Sequence, residues 1–145
     1  MLVQQVLKSK PKSGVLSVQS GAKVAEAVKV LADNRIGSVV VSDDGGLTVA
    51  GILSERDIVR ELANGGGGCL DRPVSDYMTR KIFTCTGQTT VQDVLSQMTE
   101  GRFRHMPVVE DGRMVGLVTL GDLVKAQLSV LAMEKQALEG MIMGH

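Results

Sequence analysis

The chain has 145 residues, 43% of them apolar, enough to build one ordinary core without disulfide or metal staples. Sixteen Lys and Arg balance sixteen Asp and Glu, so no long-range field draws the chain to nucleic acid or to an anionic membrane, and any basic site must be local. With one Tyr, two Phe and no Trp, aliphatic side chains must fill the core, which suits strands packed under helices.

The opening MLVQQVLKSK alternates apolar and polar residues and lacks the apolar stretch of a secretory leader, and no run of about eighteen apolar residues occurs anywhere. The reading is a soluble cytoplasmic protein that does not enter a membrane. After Ser20-Gly21, the spacing of Val24, Val28 and Leu31 predicts an amphipathic helix to about Asn34. Two apolar runs follow, Ile36 to Val41 and Val49 to Leu53, separated by Asp43-Asp44-Gly45-Gly46, which together predict a hairpin. Ser54-Glu55-Arg56-Asp57 opens a helix over Ile58 to Ala63. The tract Gly65 to Gly68, continuing to Pro73, reads as a flexible connection, since it lacks the lysine and strand context of a phosphate-binding loop.

The same order then recurs. A helix is predicted from about Thr90 to Thr99, a strand from Phe103 to Val109, a turn at Glu110-Asp111-Gly112 and a strand from Met114 to Val118. Thr119-Leu120-Gly121-Asp122 then opens a helix that can run to about Met141. Val24-Ala25-Glu26-Ala27-Val28 matches Val91-Gln92-Asp93-Val94-Leu95 at a shift of 67, and Gly51 to Ser54 matches Gly116 to Thr119 at a shift of 65. The change of two falls in the turn, where insertion costs least. The expected architecture is α/β (α+β): two βαββα repeats about a pseudo-twofold axis in one disc, residues 1–68 and 69–145, with two equivalent clefts between them. The long last helix carries Val124, Leu128, Leu131, Leu138 and Ile142 on one stripe, which suits either packing on its own repeat or a homodimer contact.

Cys69 and Cys85 have no CxxC spacing or companion His and read as plain thiols, with no metal site. Two [Ser/Thr]-x-x-Asp sequences, Ser54 to Asp57 and Thr119 to Asp122, each follow an apolar strand. Such a sequence is a helix cap, with the hydroxyl accepting a backbone N–H. Facing a shared cleft, its carboxylate can also take ribose hydroxyls while the helix N-terminus faces phosphate. Arg104 and His105 enter the second repeat's strand, as solvated charges or as a fork and a second donor for phosphate. The first repeat has Gly37-Ser38 there. The cleft of Thr119, Gly121, Asp122, Arg104 and His105 therefore reads as the cationic one, while that of Ser54 and Asp57 must borrow Arg56 or the opposite repeat. No nucleophile, base or metal set for an enzyme can be assembled.

In these residues the chain resembles a tandem pair of CBS domains, the cystathionine β-synthase motif, from about Leu16 to Leu128. The resemblance rests on Val39 to Gly45 and Met106 to Gly112, on the Gly-led second strands, and on the two [Ser/Thr]-x-x-Asp motifs. Gly101 to His105 and Gly116 to Asp122 are similar to small stand-alone bacterial members. The resemblance implies a non-enzymatic regulatory module that binds AMP first, with ATP, ADP or NAD(H) as other candidates, and that pairs into a homodimer read by a separate regulated protein. It further implies Asp122 or Asp57 on ribose and Arg104 and His105 on phosphate. Gly14, Val15, Ile36 and Ser38 would complete the cationic cleft, and Lys81, Ile82 and Met106 would line the other. A ligand-free interaction scaffold and a nucleotide-processing enzyme are the alternatives.

Overall fold

The computed structural model describes residues 1–10 and 15–142. It contains α1 (Val3–Ser9), β1 (Ser17–Val18), α2 (Val24–Asn34), β2 (Ser38–Val41), β3 (Gly51–Ser54) and α3 (Glu55–Gly65), then α4 (Val91–Gly101), β4 (His105–Glu110), β5 (Arg113–Thr119) and α5 (Leu120–Ile142). The fold is the expected mixed α and β pair, with the long C-terminal helix.

In the first repeat β1 pairs parallel to β2 and β2 antiparallel to β3. In the second, β4 and β5 pair antiparallel, and the counterpart of β1 shrinks to a parallel bridge between Cys85 and Val108. All four residues of β2 are buried, as its continuous apolar run requires. The strands start later than the apolar runs do. Arg35 and Arg102 end α2 and α4 in the left-handed conformation, at φ 52° and 55°. The backbone N–H of Ile36 is thereby turned back onto Leu31, and that of Phe103 onto Met98.

Two differences from the sequence reading concern the connections. Residues 3–9 form a helix, because Val3 and Val6 face one way at helical spacing and are buried beneath the second repeat, beside Val91, Val94 and Leu123. Reciprocally, Val74 and Met78 complete the first core, with Val18, Leu31 and Leu53. Each repeat thus covers the core of the other with the segment that precedes it, so the cores do not follow a cut between residues 68 and 69. The glycine tract is not an open linker either. α3 runs to Gly65, and Gly66–Asp71 continues as a 3₁₀ turn that buries Cys69.

The exchanged segments are tied by backbone hydrogen bonds. Ile52 and Thr79 exchange N–H···O bonds of 3.0 and 2.8 Å, and the N–H groups of Val3 and Gln4 donate to Thr89 and Gly87. They approach the sheets over the two glycines that lead the second strands. A side chain at Gly51 would collide with Met78 and the Thr79 carbonyl, and one at Gly116 with Leu7.

Candidate functional site

Both [Ser/Thr]-x-x-Asp sequences sit where a strand becomes a helix. Ser54 Oγ accepts from the Asp57 N–H at 3.2 Å, and the Asp57 carboxylate accepts from the Ser54 N–H at 3.0 Å. Thr119 and Asp122 repeat this box at 3.1 and 3.0 Å. Capping pins each carboxylate at a helix N-terminus, where the dipole favours its charge. The remaining partners differ. Arg60 donates to Asp57 at 2.8 Å, whereas Lys10 reaches Asp122 at 2.7 Å and also donates to the Leu117 carbonyl at 2.9 Å. Burial works against the charge of Asp122, but the Lys10 ammonium and the Thr119 donors outweigh it and hold the carboxyl below its ordinary range.

Sheet register brings the other site residues to these junctions. Ser38 pairs with Ser54 and His105 with Thr119, so Gly37-Ser38 and Arg104-His105 occupy equivalent places. The Gly37 carbonyl accepts from the Glu55 N–H and the Arg104 carbonyl from the Leu120 N–H, both at 2.9 Å. A side chain at Gly37 would meet nothing within 4 Å, so the first repeat leaves open space where the second carries a guanidinium. Ser38 is 4% exposed, and among the described residues its Oγ has no hydrogen-bond partner. Burial lowers the pKa of His105, with Asp122 opposing and Lys10 and Arg104 assisting.

A cavity of about 700 Å³ lies between the repeats. From the first repeat it is lined by Gly37, Ser38, Ser54, Arg56, Asp57 and Arg60, and from across it by Lys81, Ile82, Arg104 and His105. A smaller cavity of about 330 Å³ shares Arg56, Arg102, Phe103 and Arg104 with it. Arg104 and His105, grouped by sequence with Thr119 and Asp122, thus also face Ser54 and Asp57. Arg104 immediately precedes β4 and His105 is its first residue. Thr119, Gly121 and Asp122 are not among the residues lining this cavity, and a side chain at Gly121, near the start of α5, would meet Thr119 Oγ1 at 3.7 Å. Met106 turns into the second core with no exposure, because strand alternation sends it away from the face of His105. Val15 and Ile36 are half-buried away from the cavity, Ile36 against the first core. Gly14 lies outside the described residues.

Sequence reasoning passed over Phe83, and it put Arg102 on one face with Arg104 at the entry to the strand without assigning it to the site; both line the cavity. Phe83 stacks on Phe103 at a centroid distance of 5.0 Å and an interplanar angle of 2°, and both rings line the larger cavity. The available signal was that these are the only two Phe of the chain. Among the described residues, no three His, Cys, Asp or Glu converge as a metal site, and no helix is long and apolar enough to cross a membrane.

A cavity between two copies of one motif, with the capped carboxylate of Asp57 on its wall and cations around it, is the arrangement of a paired-repeat module. The chain belongs to the CBS domain family, whose model matches residues 3–64 and 74–129. A CBS-domain containing protein from Agrobacterium tumefaciens is similar at 38% identity and a TM-score of 0.82, with 88% of this chain and 99% of that one covered. A CBS domain protein from Pyrobaculum aerophilum, solved with AMP, is 27% identical with a TM-score of 0.77, over 92% and 99% of the two chains. A CBS domain pair solved with 5′-methylthioadenosine and S-adenosyl-L-methionine is 28% identical with a TM-score of 0.75, over 89% and 97%.

Proposed function

We propose that this chain is a non-enzymatic regulatory module that binds an adenine nucleotide in the cavity between its repeats. The observation that carries the reading is Ser38 Oγ, buried and without a partner among the described residues, on the wall of a cavity with a capped carboxylate on one side and cations on the other. A buried hydroxyl without a partner costs free energy that a bound ligand can recover. In this reading Asp57 takes the ribose hydroxyls, Arg104 and His105 meet phosphate, and the base lies by Ile82 and the exposed face of Phe83. AMP-bound and S-adenosylmethionine-bound relatives support a ligand of this class.

The module acts in the cytoplasm as a homodimer through α5, whose Leu128, Leu131 and Leu138 are 61%, 51% and 59% exposed. To regulate, the nucleotide must bind one arrangement of repeats or subunits better than another, and a separate protein reads the difference. Calorimetric titration with AMP, ATP, NADH and S-adenosylmethionine tests the reading, with Asp57→Asn and Asp122→Asn alongside. Binding lost in Asp57→Asn and kept in Asp122→Asn supports the cavity described. Absence of binding to all four leaves an interaction scaffold, and turnover of any of them makes the chain an enzyme.

A further inference from the structure

The charge around the cavity is far from that of the whole chain. Arg56, Arg60, Lys81, Arg102 and Arg104 line it against two acids, Glu55 and Asp57, in a protein whose formal net charge is zero. Arg60 is engaged with Asp57. The adjoining smaller cavity adds room bounded by Arg56, Arg102 and Arg104 and no acid at all. With His105 neutral, the larger cavity therefore carries a surplus of three positive charges. A terminal phosphate brings about 1.5 to 2 negative charges near neutral pH, so one phosphate leaves part of that surplus unmatched and the smaller cavity unused.

Arg102 adds a second argument. A side chain in the left-handed conformation is disfavoured relative to Gly, the residue most often found at that helix end. Arg102 holds that conformation and lines both cavities, whereas Arg35, in the same conformation at the equivalent helix end, lines neither.

We infer that the ligand of this cavity carries at least two linked phosphate groups on an adenosine, as a nucleoside di- or triphosphate or a dinucleotide pyrophosphate. The inference rests on the nucleotide reading above and narrows it. The second phosphate lies among Arg56, Arg102 and Arg104, where guanidinium forks meet phosphate oxygens in pairs. S-adenosylmethionine, which brings a sulfonium and an ammonium, is disfavoured in the same field.

The test is titration of the full chain, at fixed ionic strength and without magnesium, with ATP, ADP, AMP, 5′-methylthioadenosine, S-adenosylmethionine and inorganic tripolyphosphate. The additional charge-assisted hydrogen bond to a second phosphate predicts ADP binding at least ~10-fold tighter than AMP, with ATP as tight or tighter and S-adenosylmethionine weakest. Arg56→Ala and Arg102→Ala should each weaken ATP by about 10-fold and AMP by about 3-fold or less, while Arg35→Ala changes neither. AMP binding as tightly as ADP and ATP, or equal losses for AMP and ATP in the two arginine variants, overturns the inference and leaves the nucleotide reading standing. Tripolyphosphate binding without any adenosine compound overturns the nucleotide reading and with it the inference as stated. Absence of all binding removes both.

Discussion

The two glycines that lead β3 and β5 occupy the same place in the repeat but are held against different neighbours, so replacing each with alanine separates backbone contact from side-chain contact. At Gly51 the new Cβ would lie 2.7 and 2.9 Å from Met78 Sδ and Cγ and 2.9 Å from the Thr79 carbonyl oxygen. The carbonyl cannot retreat without opening the Ile52–Thr79 pair, whose bonds are 3.0 and 2.8 Å. Overpacking costs about 1 to 3 kcal/mol. Two weakened hydrogen bonds add about 1 kcal/mol each. The stiffer unfolded chain of alanine returns about 0.4 to 1 kcal/mol. The net loss is about 2 to 4.6 kcal/mol, which for a domain of this size lowers the melting temperature by roughly 10 °C. At Gly116 the three atoms nearest the Cβ would all belong to Leu7, at 2.8, 3.2 and 3.6 Å, and that half-buried side chain can turn aside. Gly116→Ala should cost about 1 kcal/mol or less, a few degrees at most. Thermal and urea unfolding of both variants measure this. Gly51→Ala should also weaken nucleotide binding, because the displaced segment at Thr79 leads directly to Lys81 and Ile82. A loss in Gly116→Ala equal to that in Gly51→Ala would refute the reasoning.

Lys10→Met removes a cation that repels protonated His105 and unmasks Asp122, which attracts it, so the His105 midpoint followed by proton NMR should move up; an unmoved midpoint would mean the Lys10 contact is absent in solution. Arg102→Gly should raise stability by up to ~1 kcal/mol by relieving the left-handed residue while weakening polyphosphate binding, whereas Arg35→Gly should raise stability alone. Cys85 is pushed from 9.0 up to about 11, by burial first and then by Glu110. Its unfolded thiol therefore loses its proton at lower pH than the folded one, and stability falls between pH 9 and 11. The urea midpoint of wild type should drop more from pH 8 to about pH 10 than that of Cys85→Ala, and equal drops would count against the burial argument.

The repeat and most of its elements were legible because they rest on periodicity and on a shift that repeats in order. Val24, Val91 and their partners mark helices by spacing alone, and β2 by its unbroken apolar run. The exchange of α1 and residues 74–78 between cores was not legible, because nothing in Val3, Val6, Val74 or Met78 says which sheet they cover. The glycine tract read as open chain since composition cannot reveal that Cys69 is buried beyond it. At the candidate site, Ser54, Asp57, Lys81, Ile82, Arg104 and His105 were all named, because strand ends and cap sequences are local features. Ser54, Asp57, Lys81 and Ile82 were also grouped in one cleft, but Arg104 and His105 were placed with Thr119 and Asp122, since which cavity a strand end faces across the repeats is not a local feature. Met106 was misplaced by one step of strand alternation.

The most direct test of the central claim is an NMR titration of the isotope-labelled chain with ADP, following backbone amides. Binding between the repeats predicts the largest shifts at Gly37, Ser38, Asp57, Lys81, Arg104 and His105 together, from both repeats at one ligand concentration. Shifts confined to α5 or to a single repeat, or no shifts at millimolar ADP, would contradict it.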